Sequence, residues 1–382
     1  MSPESAEKPM PIYLDYNAST PVAPEVAKAM QPFLQQGFGN PSSKHWASAG
    51  LADSLEAARR QVAALLGSKP AEIVFTSGGS EATNHALKGA YFTSGKRDAH
   101  IVTTQIEHPA TIETCRFLER LGAHVTYLPV DGQGLLDPAD FRRAITPDTV
   151  LISVMHANNE VGTIQPMAEI SAIAHQHGIL SHTDAAQSAG KILVDVAALD
   201  VDLLTLAGHK LYAPKGVGAL FIKDSVEIEP LIHGGGQEYG QRSGTEAVMM
   251  AVALGTACHL ASKRLTTTKV GEIRDYFWAA LKEAFGENII QNGDLKNRLP
   301  NTLNVSFVGR DGSTILERLE GIAASTGSAC HEGSVTMSPV LAAMGCSDDV
   351  AMGTIRFSLG DATAASDIDR TLKSLKSVVP NV

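Results

Sequence analysis

Apolar positions first recur at helical spacing. Leu51, Leu55, Ala58, Val62, Leu65 and Leu66 repeat at intervals of three and four, which predicts one face of an amphipathic helix stopped by Gly67. Short apolar runs and helical stretches then alternate. Strands are expected at Glu72–Phe75, Ile101–Val102, His124–Leu128, Thr149–Val154, Ile179–His182 and Leu203–Leu206. Helices are expected after Asn84, from Pro109, and from Pro166 to His177. Val217–Ile222 is apolar again and is expected to be an edge or antiparallel strand. This alternation predicts an α/β fold, a mostly parallel sheet flanked on both faces by helices.

Past residue 260 the pattern changes. A helix is expected from Lys269 to Phe285, and Leu303, Val305 and Phe307 alternate with Asn304 and Ser306 as in a half-buried strand. A short helix at Leu316–Leu319, a small-residue loop over 325–333, a strand at Ile355–Gly360 and a helix at Asp367–Val378 complete a smaller α+β domain. The large domain is expected over 15–260. The smaller one takes 1–14 and 261–382 and carries the Cys330 loop.

Composition narrows the classes. The 382 residues are 44% hydrophobic and 19% charged, with a formal net charge of -10 and no basic block, so a nucleic-acid footprint is not expected. No stretch is long and apolar enough to span a bilayer, and the first eleven residues do not form a signal peptide. Cys115, Cys258, Cys330 and Cys346 lack CxxC spacing, which argues against a zinc site or a disulfide scaffold and for a reducing cytoplasm. No metal is expected.

The candidate chemistry sits after the strands. Ligands in open α/β sheets bind outside the carboxyl ends of the strands, and that rule gathers His108, Asn159, Asp184, Gln187, His209 and Lys210 in one crevice. Taken singly each has an ordinary reading: Lys210 a solvated loop lysine, His108 a capped loop residue, Asp184 a helix N-cap, Arg356 a surface ion pair. For His108, Asp184 and Lys210, finding a polar candidate at the end of each of four strands outweighs those readings; for Arg356 the ion pair is the commoner fate. A strand, the loop Thr76-Ser77-Gly78-Gly79-Ser80-Glu81-Ala82-Thr83-Asn84 and a helix N-terminus make either a tight βα turn that uses glycine for its backbone angles or a site for a single phosphate group. A desolvated lysine able to form a Schiff base, a strand-end aspartate and a phosphate loop together describe pyridoxal 5'-phosphate. Asp184 would pair with the pyridinium nitrogen, Gln187 with the ring oxygen, His108 with a ring face, and Arg356 with an α-carboxylate.

With these residues in place, the chain resembles the cysteine desulfurase and selenocysteine lyase group of the class V aminotransferase superfamily, fold type I. The resemblance rests on Tyr13-Leu14-Asp15-Tyr16-Asn17, Thr76-Ser77-Gly78-Gly79-Ser80-Glu81, Glu107-His108, Asn158-Asn159-Glu160, Thr183-Asp184-Ala185-Ala186-Gln187, Gly208-His209-Lys210, Arg242-Ser243-Gly244-Thr245, Gly327-Ser328-Ala329-Cys330 and Ile355-Arg356-Phe357-Ser358-Leu359-Gly360.

The resemblance implies that Lys210 holds the cofactor and moves protons, that Gly79, Ser80 and His209 contact the phosphate, and that Asn17, Asn159 and Arg356 bind the substrate. It implies that Thr245 reaches the phosphate of a neighbouring subunit, hence a homodimer. It implies that Cys330 takes sulfur or selenium from cysteine or selenocysteine, leaving alanine, and passes it to a protein or small-molecule thiol. A mobile small-residue loop and His331 would favour such a thiolate. The other three cysteines read as buried apolar residues. Ala207 stands where many desulfurases carry a phosphate-binding serine. His331 follows the cysteine where Ser or Thr is usual, and Ser338-Pro339-Val340-Leu341 looks more like selenocysteine lyases. A transaminase, another β-lyase of the same fold, and a non-catalytic sulfur-transfer accessory are the alternatives.

Overall fold

The computed structural model describes residues 10–326, 328–331 and 334–379, with 328–331 and 334–336 described by backbone alone. Its strands are β1 (Ile12–Tyr13), β2 (Ile73–Thr76), β3 (His100–Thr104), β4 (His124–Leu128), β5 (Thr149–Ser153), β6 (Leu180–Asp184), β7 (Leu203–Ala207), β8 (Gly218–Ile222), β9 (Ile289–Asn292), β10 (Thr302–Phe307), β11 (Ile322–Ala323), β12 (Ser325–Thr326), β13 (Ser328–His331), β14 (Ser334–Met337) and β15 (Thr354–Ser358). The first four helices are α1 (Pro24–Gln35), α2 (Leu51–Leu66), α3 (Gly79–Thr93) and α4 (Pro109–Leu121).

Seven strands form the larger sheet in the order β2-β8-β7-β6-β5-β3-β4. Only β8 runs against the rest, pairing antiparallel with both β2 and β7. It is therefore antiparallel but interior, and the edges are β2 and β4. The central strands are buried on both faces, as near-continuous apolar runs require when helices cover each side. α2 ends where Gly67 takes a left-handed conformation, φ 67°, the helix stop that glycine makes at low steric cost. Its buried face packs on the long helix Val248–Arg264.

A second core lies around the antiparallel sheet β12-β15-β10-β9. Phe277 and Phe357 meet edge to face at 5.0 Å within it, and Ile12 and Leu14 join it from the N-terminus through the parallel pairing of β1 with β11. β10 departs from the expected half-exposed alternation, for all six of its residues are buried. Its polar face is covered and paired inside: Asn292 Nδ2 donates to Asn304 Oδ1 and to Ser306 Oγ, each at 2.7 Å. Buried polar groups persist when they are bonded in this way.

The loop expected over 325–333 is also corrected. Ser325 and Thr326 pair with Arg356 and Ile355, and β13 pairs with β14, Cys330 facing Val335 in register. Backbone hydrogen bonding to a following strand gives this small-residue segment regular structure. Residues 327, 332 and 333 lie outside the described residues, as do the side chains of Cys330 and His331.

Candidate active site

An open cleft lies beyond the carboxyl ends of β3, β5, β6 and β7. Its wall is completed by residues 17–19 and by Arg356 of β15, so both sheets contribute.

Lys210 follows β7 directly, in the short turn Gly208–Lys210. Its Nζ donates to the carbonyls of Asn17 and Ala18, the latter at 2.8 Å. Burial and the Arg356 charge push its amine down to about 8, against the pull of Asp184 and Asp15. An amine with that pKa is uncharged in a useful fraction near neutrality, as a nucleophile requires.

Asp184 ends β6 and is 8% exposed. One oxygen, Oδ1, accepts from the amide of Ala186 at 2.9 Å. Burial raises its pKa, while that bond and the charges of His108 and Lys210 oppose the rise. A carboxyl in this state gains most from a further cationic hydrogen-bond donor.

His108 caps α4: its Nδ1 accepts from the amide of Ala110 at 3.1 Å. The neutral ring therefore carries its proton on Nε2. Desolvation chiefly pushes its pKa down, Asp184 pulling it up and Lys210 adding to the fall. Protonating Nδ1 would also break the cap.

Gly79 and Ser80 open α3, whose first amides have no intrahelical acceptors. Ala207 lies against this turn; a Cβ on Gly79 would stand 3.1 Å from that of Ala207. His209 lines the same end of the cleft and is pushed down to about 4 by burial, Lys210, Lys215 and His108.

Asn159 and Arg356 both line the cleft and meet there. Arg356 Nη1 donates to the Asn159 carbonyl at 3.0 Å, and Nη2 donates to Asp15 Oδ1 at 2.7 Å. Its Nε is buried and has no acceptor among the described residues.

Asn17 lines the cleft, and its side chain is bound into the framework behind it. It is 1% exposed. Its Nδ2 donates to Asn159 O at 3.2 Å and Thr302 Oγ1 at 2.8 Å, while its Oδ1 accepts from Lys191 Nζ at 2.8 Å and Asn301 Nδ2 at 3.0 Å. The amide is used up by bonds that join the two cores, and its backbone carbonyl is what faces Lys210.

Thr245 is exposed and does not line the cleft of its own chain. Its segment is tied back to the cleft by Arg242, whose Nε lies 3.0 Å from Glu81 Oε1.

Two residues were given no role by the sequence reading, although Glu107 stands in one of its motifs. Lys191 places Nζ 2.7 Å from Gln187 Oε1, and burial with the charges of Lys210 and Arg356 drives its pKa well down. The four-residue interval from Gln187 was its only sequence signal. Glu107 is buried beside Asp184, accepts from Thr104 Oγ1 at 2.6 Å and Met155 N at 3.0 Å, and is pushed up to about 8 by burial. Cys115 and Cys258 are buried with raised pKa values, the former pushed up to about 12, and neither is a ready nucleophile.

Fold and site together define a fold type I α/β enzyme scaffold with a lysine at its centre. The chain belongs to the family described as Aminotransferase class-V, whose sequence pattern matches residues 12–371. It is 46% identical over 372 residues to the cysteine desulfurase IscS of Dictyoglomus turgidum, covering 96% of this chain and 94% of that protein. The Klebsiella pneumoniae protein of the same name is 42% identical over 377 residues, covering 97% and 93%. A solved structure described as a NifS-like protein superposes with a TM-score of 0.91 at 38% identity, covering 97% of this chain and 99% of that one. Another, SspA in complex with cysteine, gives a TM-score of 0.82 at 39% identity and covers 92% and 100%. No helix among the described residues is long and apolar enough to cross a membrane.

Proposed function

We propose that this chain is a pyridoxal phosphate-dependent cysteine desulfurase, which converts L-cysteine to L-alanine and takes the sulfur onto Cys330. The observation that carries the reading is the cleft shared by Lys210, with its amine pushed to about 8, and the buried strand-end carboxyl of Asp184.

The residues fit the cofactor. Asp184 has the raised pKa that a pyridinium N–H would relieve. The α3 N-terminus at Gly79 and Ser80, with neutral His209 beside it, suits a phosphate. When bound, pyridoxal phosphate supplies an electron sink that stabilises negative charge at the substrate Cα.

The chain's own residues do the rest. Lys210 holds the cofactor and carries the Cα proton. Asn159 and the Arg356 guanidinium take the α-carboxylate. His108 covers a ring face and presents Nε2–H to the cleft. The Cys330 thiolate attacks the substrate sulfur: an S–S bond forms, the substrate Cβ–S bond breaks, and Cβ gains a proton to give alanine. The persulfide sulfur then passes to a protein or small-molecule thiol.

The names of the relatives favour sulfur over selenium. Thr245 reaches a partner subunit's phosphate in a homodimer, a reading supported by its exposure away from its own cleft. Cytoplasmic residence is supported by Cys115, Cys258 and Cys346 being free.

The test is purified protein supplied with pyridoxal phosphate and cysteine. Wild type should be yellow and release alanine in step with sulfide in the presence of a thiol. Lys210→Ala should lose colour and turnover. Cys330→Ser should keep its colour and lose sulfide release by at least ~10²-fold. Pyruvate or a keto acid in place of alanine, or full activity in Cys330→Ser, overturns the proposal.

A further inference from the structure

Arg356 is half engaged. Its Nη1 is committed to the Asn159 carbonyl, its Nη2 meets one oxygen of Asp15, and its buried Nε–H has no acceptor among the described residues. A guanidinium binds carboxylates most strongly through two parallel N–H groups, and Asp15 uses one. A buried donor left unmade is costly, so this arginine is primed for a better acceptor.

Asp15 is unusual in the same way. The Oδ1 that accepts from Arg356 at 2.7 Å also accepts from Ser325 Oγ at 2.9 Å. The pair is largely enclosed, with 10% and 18% of the side chains exposed for Arg356 and Asp15. Asp15 is held by backbone as well, through its bridge to Ser358 of β15. Releasing Arg356 would leave Asp15 with the Ser325 hydroxyl, so its charge would not be stranded. Keeping it on Arg356 while a second carboxylate arrives would press two like charges onto one cation.

We propose that Asp15 is an internal carboxylate that holds Arg356 before substrate binds and is exchanged for the α-carboxylate of the substrate. The proposal rests on the reading of Arg356 as the carboxylate anchor. It makes Asp15 a specificity-determining residue: only a ligand whose carboxylate outcompetes Asp15 is seated. Nη2 turns to the incoming carboxylate as Asp15 yields, the buried Nε–H then gains the acceptor it lacks among the described residues, and Ser325 retains the displaced oxygen. Ser325 pairs in register with Arg356 through β12 and β15, so the exchange needs no rearrangement of the sheet.

The test uses the holoenzyme and L-alanine, the product, titrated through the change in the cofactor's visible band. Asp15→Asn removes the competing charge and keeps an oxygen near Arg356. It should bind alanine tighter, on the order of tenfold, while ethylamine, which lacks the carboxylate, changes by less than about twofold. Ser325→Ala takes away the group that retains Asp15 and should weaken alanine binding several-fold with cofactor content unchanged. A structural role for Asp15 would weaken binding in both variants. Equal or weaker alanine binding by Asp15→Asn, with cofactor retained, overturns the exchange. So does Ser325→Ala binding alanine like wild type, which covers the case of an Asp15 variant that does not fold. A wild type that takes up no pyridoxal phosphate overturns the function itself; one that takes up pyridoxal phosphate but does not respond to alanine overturns the exchange.

Discussion

The Lys191 amine donates to Gln187 Oε1 at 2.7 Å, and the Nε2 of that same amide donates to the Asn17 carbonyl at 2.9 Å. A carbonyl only accepts, so both bonds fix the same orientation and Gln187 presents an N–H to the cleft. Lys191→Met removes one of them and leaves Oε1 without its partner. Pyridoxal phosphate binding should weaken by about three- to tenfold. The pH midpoint of the cofactor's visible-band change should also rise, because a fixed donor on the ring oxygen favours its less protonated form. Titration of purified variant and wild type reads both quantities, and an unchanged midpoint would rule the account out.

His108 carries two separable duties, capping α4 through Nδ1 and facing the cleft with its ring. Asparagine can cap a helix but has no ring. His108→Asn should therefore keep stability near wild type while turnover falls by ~10²–10⁴-fold. His108→Ala should lose the cap as well, at a cost of about 1 kcal/mol in denaturant unfolding. Equal stability of the two variants would show that the cap contributes nothing.

Ala207 lines the cleft beside the first turn of α3. Ala207→Ser places a hydroxyl there. Cofactor release from the variant should slow several-fold, in line with one added charge-assisted hydrogen bond of ~1.5–3 kcal/mol minus the cost of fixing the side chain. The rate of colour loss on dilution into a carbonyl scavenger measures it. Faster loss in the variant would mean the hydroxyl turns away or crowds Gly79.

Lys210 titrates near 10.5 when unfolded and at about 8 in the folded protein. Between those values the unfolded chain binds more protons, so stability rises with pH across the window. Lys210→Met removes this dependence. Without cofactor, the variant should be more stable than wild type below the window. The difference should shrink as pH climbs from 8 to 10.5. Denaturant unfolding at several pH values gives the curve, and a gap that does not change with pH would mean that Lys210 titrates as a free lysine.

Much of the site was legible because strand-end position is a local property. Apolar runs mark β3, β5, β6 and β7, and the residues just beyond them must open on one side of a parallel sheet. His108, Asp184, Gln187 and Lys210 follow from that rule. The half-exposed reading of β10 failed because periodicity shows which face is apolar and not what covers the polar one. The Asn304 and Ser306 face is sealed by Asn292 and by Glu160, whose carbonyl accepts from Asn304 Nδ2 at 3.1 Å. The small residues of 325–333 predict a loop, but strand pairing is decided by the partner strand.

The sequence by itself determined the α/β alternation, the crevice after the strands and the chemical types gathered there. These depend on repeat spacing and chain direction, which are written along the chain. Only the tertiary structure decided how the site is wired. Asp15 finds Arg356 across 341 positions, and Lys191 finds Asn17 across 174. Such contacts have no local signature: hydrogen bonding is directional and short-ranged, and the folding of two cores against each other sets which groups come within reach.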